Sequence, residues 1–175
     1  MALFENHSDR LSVRDGERRI KVVAFGSYHS GKTSLVRAID PRPLRTEAPD
    51  RTGGTTVALD LGVREHRGFK IHLFGTPGQE RFEVARDVVA YGLHAGLVVV
   101  DATRGMTRFE QRVLAELRGQ GVPCLVLANK MDLPGASLER VKREASGADV
   151  LSVSARTGLG IGAVLDRIAD IAGSL

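Results

Sequence analysis

Apolar and polar positions along the chain fall into three kinds of run. Ile20-Lys21-Val22-Val23-Ala24-Phe25, Leu97-Val98-Val99-Val100, Cys124-Leu125-Val126-Leu127-Ala128 and Val150-Leu151-Ser152-Val153 are short and largely apolar. Such runs predict strands covered on both faces. Val57, Leu59, Leu61 and Val63 alternate with small or polar residues, and Phe69, Ile71 and Leu73 do the same. Alternation predicts half-buried strands, and Arg67-Gly68 between them predicts an antiparallel hairpin. Ser34 to Ile39, the set Phe109, Val113, Leu114 and Leu117, and the set Ile161, Val164, Leu165, Ile168 and Ile171 have helical spacing. Leu138 to Ala145 reads as a short polar helix, and another helical stretch is expected up to about Tyr91.

Strands that alternate with helices predict a doubly wound α/β fold. The expected sheet is mostly parallel and six-stranded, with one antiparallel edge strand from the hairpin and helices on both faces. Met1 to Arg18 is polar and without periodicity, so residues 1–18 are expected to form a mobile tail and residues 19–175 the domain. Helix breakers Pro41 and Pro43 end the first helix near Asp40. Pro41 to Gly54 is expected to be a loop, as is Gly75 to Phe82. In such a fold ligands bind at the carboxyl ends of the strands, where these loops converge.

The 175 residues suffice for one domain with a sizeable core. A net charge of +4 comes from scattered arginines, without a basic run or interleaved aromatics, so nucleic acid is not an expected partner. No apolar stretch is long enough for an integral membrane segment, and no signal peptide, myristoylation glycine or prenylation cysteine is visible. The single cysteine, Cys124, cannot form an internal disulfide, and a cytoplasmic location is expected. His7, His66, His72 and His94 have no metal-ligand spacing.

Between the first strand and the first helix lies Gly26-Ser27-Tyr28-His29-Ser30-Gly31-Lys32-Thr33, which fits the phosphate-binding pattern G-x-x-x-x-G-K-[ST]. Gly26 and Gly31 let the backbone turn its N–H groups toward an anion, and the helix start at Ser34 adds its positive end. Lys32 places a charge on the outer phosphates, and the Thr33 hydroxyl can ligate Mg2+. Asn129-Lys130-Met131-Asp132 follows a buried strand and suits a guanine base. The Asp132 carboxylate can accept from the base N1–H and amine, which adenine does not offer together. Lys130 can cover the ring, and Asn129 can tie this loop to the phosphate loop. Ser154-Ala155-Arg156 gives a third loop on the same rim, where the Ala155 N–H could meet the guanine O6.

With Thr56 and Thr76-Pro77-Gly78-Gln79-Glu80, these loops resemble the five motifs of Ras-like small GTPases within the P-loop GTPase superfamily, from about residue 19 to the C-terminus. Leu73-Phe74-Gly75-Thr76-Pro77-Gly78-Gln79 is similar to the prokaryotic, MglA-type and Arf-like branch. The resemblance implies a small GTP-binding protein that binds GTP and GDP with Mg2+, hydrolyses GTP slowly, and acts as a monomeric, nucleotide-dependent switch. Thr33 and Thr56 would ligate the metal, Thr56 only with the γ-phosphate present. Lys32 would contact the β- and γ-phosphates, the Gly78 N–H the γ-phosphate, and Gln79 would orient the attacking water. Residues 40–56 and 75–86 would be switch regions for activating and effector proteins, roadblock-type among them.

Three departures from the family pattern bear on this reading. Gly75 stands where the family has an aspartate near the metal; Asp101, at the end of a neighbouring strand, is the expected replacement. Tyr28 is bulky for its place and is expected to crowd Gln79 and slow hydrolysis. Arg156 stands for a lysine, a mild change because both stems can cover a base. Arg42, Arg45 and Arg51 lie in the expected first switch, where an arginine can stabilise the transition state, although surface charge is the better reading of each one individually. Two rival readings are a GTP-dependent scaffold with negligible hydrolysis, favoured by Gly75 and Tyr28, and a P-loop kinase or ATPase, disfavoured by Asn129 to Asp132.

Overall fold

A computed structural model describes residues 12–14, 17–49, 56–76 and 91–175, with side chains described over 17–44, 59–76 and 91–175. Expectations for Pro77, Gly78, Gln79, Glu80, Arg51 and the helix before Tyr91 fall outside these residues. So do those for the Thr56 and Arg45 side chains.

The strands are β1 (Ser12–Arg14), β2 (Glu17–Phe25), β3 (Leu44–Pro49), β4 (Thr56–His66), β5 (Phe69–Gly75), β6 (Ala95–Asp101), β7 (Cys124–Asn129) and β8 (Val150–Ser152). Four helices are described: α1 (Lys32–Ile39), α2 (Arg108–Gly119), α3 (Leu138–Glu144) and α4 (Ile161–Ser174). The sheet order is β3-β4-β5-β2-β6-β7-β8. Neighbours from β5 to β8 along this order pair in parallel, while β4 pairs antiparallel with β5. This is the expected six-stranded core, five strands parallel and one antiparallel.

Two short strands extend it. Leu44–Pro49, expected as loop, pairs antiparallel with β4, and Ser12–Arg14, expected as tail, pairs antiparallel with the start of β2. Both are held by backbone hydrogen bonding to a neighbour strand. Their own sequences, one bounded by Pro43 and Pro49 and the other only three residues long, carry little strand signal.

The parallel strands are buried on both faces, which explains their unbroken apolar runs. On one face Ile20, Val22, Leu73 and Leu97 pack with Leu35, Val36 and Ile39 of α1 and with Val164, Leu165 and Ile168 of α4. On the other, Val23, Val98, Val100 and Val126 pack with Val113, Leu114 and Leu117 of α2 and Val141 of α3. Cys124 is half-buried against this second layer, and burial pushes its thiol pKa up. No helix among the described residues is long and apolar enough to cross a membrane.

The chain leaves β2 toward β5 on one side and returns to β6 on the other. That reversal opens a crevice at the carboxyl end of β2, and the glycine loop lies in it.

Candidate functional site

The loop between β2 and α1 is shaped by two left-handed residues, His29 (φ 64°) and Gly31 (φ 102°). Gly31 has no alternative: a Cβ there would lie 2.2 Å from Asn129 Nδ2. Such alternation turns successive N–H groups to one side, forming an anion-binding concavity. Lys32 is nearly buried, and its Nζ donates to the carbonyls of Gly26 and Ser27, each at 2.8 Å. The ammonium therefore sits inside the curl of the loop. Ser30 is fully buried, while Thr33 and Ser34 are exposed on the first turn of α1. Tyr28 and His29 are exposed, their ring centroids 3.8 Å apart. Whether Tyr28 crowds Gln79 lies outside the described residues.

The loop has a support that the sequence reading missed. Glu110, fully buried on α2, accepts the Ser27 N–H at 3.0 Å and the Ser27 hydroxyl at 2.8 Å through Oε1. Its Oε2 accepts the Thr107 N–H at 2.6 Å and the Thr107 hydroxyl at 2.9 Å. The signal was legible, because Thr107-Arg108-Phe109-Glu110 fits the capping-box pattern at the start of α2.

The loops after β7 and β8 meet the glycine loop through Asn129. Its side chain is buried; Nδ2 donates to the Ser30 carbonyl at 2.9 Å, and Oδ1 accepts the Ala155 N–H at 3.0 Å. The expected tie is present. The Ala155 N–H expected to face a guanine O6 is already directed at Asn129, so any O6 contact would share that donor. Lys130 is left-handed (φ 67°), and its ammonium is 2.6 Å from Asp101. Asp132 accepts the Ser154 hydroxyl at 2.7 Å and lies 3.3 Å from Arg156 Nε. The Ser154 hydrogen bond, with help from Arg156, holds the Asp132 carboxyl below the usual carboxylate range. Arg156 is otherwise 80% exposed, so its stem is free to move.

Asp101 does not serve the role expected of it. Burial opposes its charge, but Lys130 together with the Thr103 hydroxyl and N–H outweighs burial and lowers its pKa. Its oxygens are taken up at 2.6 Å by Lys130 and at 2.6 Å by the Thr103 hydroxyl. Asp101 therefore orders the loop after β7 through Lys130. The carboxylate that reaches the Thr33 hydroxyl is Asp60 of β4, at 2.5 Å. Thr76 is buried just after β5, its hydroxyl donating to the Ala24 carbonyl at 2.9 Å. Arg42, one of the three arginines considered for the transition state, is exposed beside Asp40.

Three of the described histidines have packing or surface roles, and His7 lies outside the described residues. His94 Nδ1 accepts the Lys21 N–H at 2.9 Å, His66 pairs with Asp166, and His72 is half-buried with its pKa lowered by burial.

A sequence model of the elongation factor Tu GTP binding domain matches residues 17–174. An uncharacterised protein of Methanocaldococcus jannaschii is 36% identical over 114 residues, which is 65% of this chain and 71% of that protein. Translation initiation factor IF-2 of Pseudothermotoga lettingae is 32% identical over 183 residues, 97% of this chain but 26% of that factor. The chain thus spans about a quarter of that relative's length. Among solved structures, the G domain of the T. maritima FeoB iron transporter superposes with a TM-score of 0.68 at 22% identity, covering 88% of this chain and 99% of that one.

Proposed function

Because the chain belongs to the elongation factor Tu GTP binding domain family, we propose that it is a guanine-nucleotide switch that binds GTP and GDP with Mg2+ and hydrolyses GTP slowly. The observation that carries the reading is Asn129. One buried amide joins the phosphate loop at Ser30 to the third loop at Ala155, with Asp132 held two bonds away by Ser154. A phosphate cradle and an acceptor for a guanine edge are thereby fixed at a set distance from each other, which suits a guanosine phosphate.

The residues present fit Mg2+. Thr33 offers a hard hydroxyl oxygen at the start of α1, a carboxylate stands against it, and a nucleotide brings phosphate oxygens. Thr56 is the second hydroxyl of the reading. The metal would neutralise charge on the β- and γ-phosphates. Lys32 would leave the two loop carbonyls for those same phosphates. Gly78 and Gln79 would meet the γ-phosphate and the attacking water, and loss of that phosphate would release the loops that carry Thr56 and Gly78 to partners.

The narrower kinship with Ras-like switches belongs to this reading and rests on Leu73 to Gln79, where Gly75 departs from the family aspartate. A cytoplasmic site of action and activating or effector partners, roadblock-type among them, complete it. Binding of fluorescent GDP and GTP, with ATP as competitor, tests the base preference. Displacement by ATP at matching concentration would overturn it. Single-turnover hydrolysis with and without cell extract separates a switch from a scaffold, since a scaffold would show no turnover in either case.

A further inference from the structure

The loop between β6 and α2 carries a contact to each side of the site. At its start Asp101 accepts the Thr103 N–H and hydroxyl and holds the Lys130 ammonium at 2.6 Å. At its end Thr107 is clamped by Glu110, whose other oxygen holds Ser27 of the glycine loop. Between these points the chain forms neither strand nor helix, and Gly105 is left-handed at φ 86°. Ordering such a stretch costs conformational entropy, which bonds from a neighbouring element can offset.

Those bonds come from α3. The Ser137 N–H, at its N-cap, donates to the Ala102 carbonyl at 2.9 Å. Arg140 Nη1 donates to the Thr103 carbonyl at 3.2 Å, and Glu144 Oε2 accepts the Met106 N–H at 2.7 Å. Arg140 and Glu144 are four residues apart and so share one face of the helix. The fit against that face is close. A Cβ on Gly105 would lie 2.6 Å from Glu144 Oε2 and 3.0 Å from Arg140 Cδ, so the glycine leaves the room that the carboxylate occupies.

On the guanine-nucleotide reading above, we propose that Arg140 and Glu144 are positioning residues of the nucleotide site. They act through the loop and not by contact with a nucleotide. They hold residues 102–106 in one shape. That shape sets Lys130 on the base side through Asp101, and Ser27 on the phosphate side through Glu110. Freeing the loop from α3 slackens both grips together, so bound nucleotide leaves sooner.

The test measures release of fluorescent GDP from the full chain by stopped flow, beside urea melts without nucleotide. Glu144→Ala removes the acceptor for Met106 and should speed release about 2- to 30-fold, the range for changes carried through a connected network. Glu144→Gln keeps a carbonyl oxygen for that N–H and should recover most of the loss. Arg140→Met removes the bond to Thr103, keeps an apolar stem and should speed release in the same direction; it decides the matter if Glu144→Ala does not fold. Val141→Ala is the structural control. It hollows the core beneath the same helix and leaves both loop bonds in place, so it should lower stability without a matching change in release. Unchanged release in Glu144→Ala or in Arg140→Met, no recovery in Glu144→Gln, or release that tracks stability alike in Glu144→Ala and Val141→Ala would overturn the proposal. An unaltered chain that takes up no fluorescent GDP would overturn the nucleotide reading itself, and this proposal with it.

Discussion

Glu110 and Ser27 are joined by two hydrogen bonds to one carboxylate oxygen, across 83 residues of sequence. The second oxygen of Glu110 caps its own helix at Thr107. One buried carboxylate thus sets the start of α2 and the entry of the phosphate loop together. Glu110→Gln keeps the size but turns an amide N–H toward groups that are themselves donors. Such a mismatch leaves buried donors unpaired and should cost about 1–3 kcal/mol in chemical denaturation. The one remaining oxygen can serve Ser27 or Thr107 but not both, so the loop entry and the start of α2 no longer fit together, and GDP should also dissociate faster in stopped-flow release. Full stability with unchanged release would remove this role.

Gly31 shows how tightly the loops are fitted. Gly31→Ala would drive a methyl into Asn129 Nδ2, at 2.2 Å, from a backbone at φ 102°. Asn129 would have to release Ser30 or Ala155. Gly158→Ala is the control: its φ is 82°, yet nothing lies within 4 Å of the added methyl. The control carries only the left-handed backbone cost of about 1–2 kcal/mol. Gly31→Ala should be more destabilising than the control and should also abolish nucleotide uptake, read by fluorescent GDP binding. Equal behaviour of the two variants would contradict the fit described here.

The contrast between what was legible and what was not follows the range of the signal. Ile20 to Phe25 and Leu125 to Ala128 announce buried strands because solvent is excluded from both faces, and that leaves a local mark. The phosphate loop and Asn129 were legible because their chemistry demands fixed residue types. Leu44–Pro49 was read as loop because its strand exists only through pairing with β4, which no local pattern encodes. Asp60 was visible as a residue four after Thr56, but not as the acceptor for Thr33. Only the register of β4 on β5 sets it opposite Gly75 and aims it at α1. Assigning the missing charge to Asp101 failed for a related reason. The end of a strand was a fair place to look, but Lys130 and Thr103 already hold that carboxylate.

Asp101 gives a pH-dependent prediction. Its pKa is lowered in the folded chain although burial alone would raise it, because Lys130 and Thr103 favour the charged form. A depressed carboxylate pKa contributes stability above the unfolded value, near 4, and loses it as pH falls through the folded value. Asp101→Asn should therefore be less stable than the unaltered chain by about 2 kcal/mol at neutral pH, the range for a hydrogen bond to a charged group. The gap should narrow below about pH 4. Urea melts at several pH values check both points; a gap that grows in acid would contradict the assignment.

Asp132 offers the sharpest test of the base. Its Oδ1 is held by the Ser154 hydroxyl, and its Oδ2 faces Arg156 at 3.3 Å. In Asp132→Asn the Ser154 hydroxyl still finds a carbonyl oxygen, so the side chain keeps its orientation. The amide N–H2 then replaces Oδ2. It faces Arg156 without an acceptor between them, but Arg156 is 80% exposed and can swing into solvent at little cost. Toward a base the change is severe, since an acceptor becomes a donor. Guanine offers N–H groups on that edge and would meet donor with donor. Xanthine carries an oxygen in place of the exocyclic amine and would meet donor with acceptor. A site that leaves a buried polar group unpaired rejects the wrong ligand by orders of magnitude. GTP affinity should fall by at least about 100-fold, and xanthosine triphosphate should gain by a similar factor. Competition of both nucleotides against fluorescent GDP or its xanthine analogue measures the exchange. If GTP binding weakens with no gain for xanthine, Asp132 braces the loop through Ser154 and does not read the base.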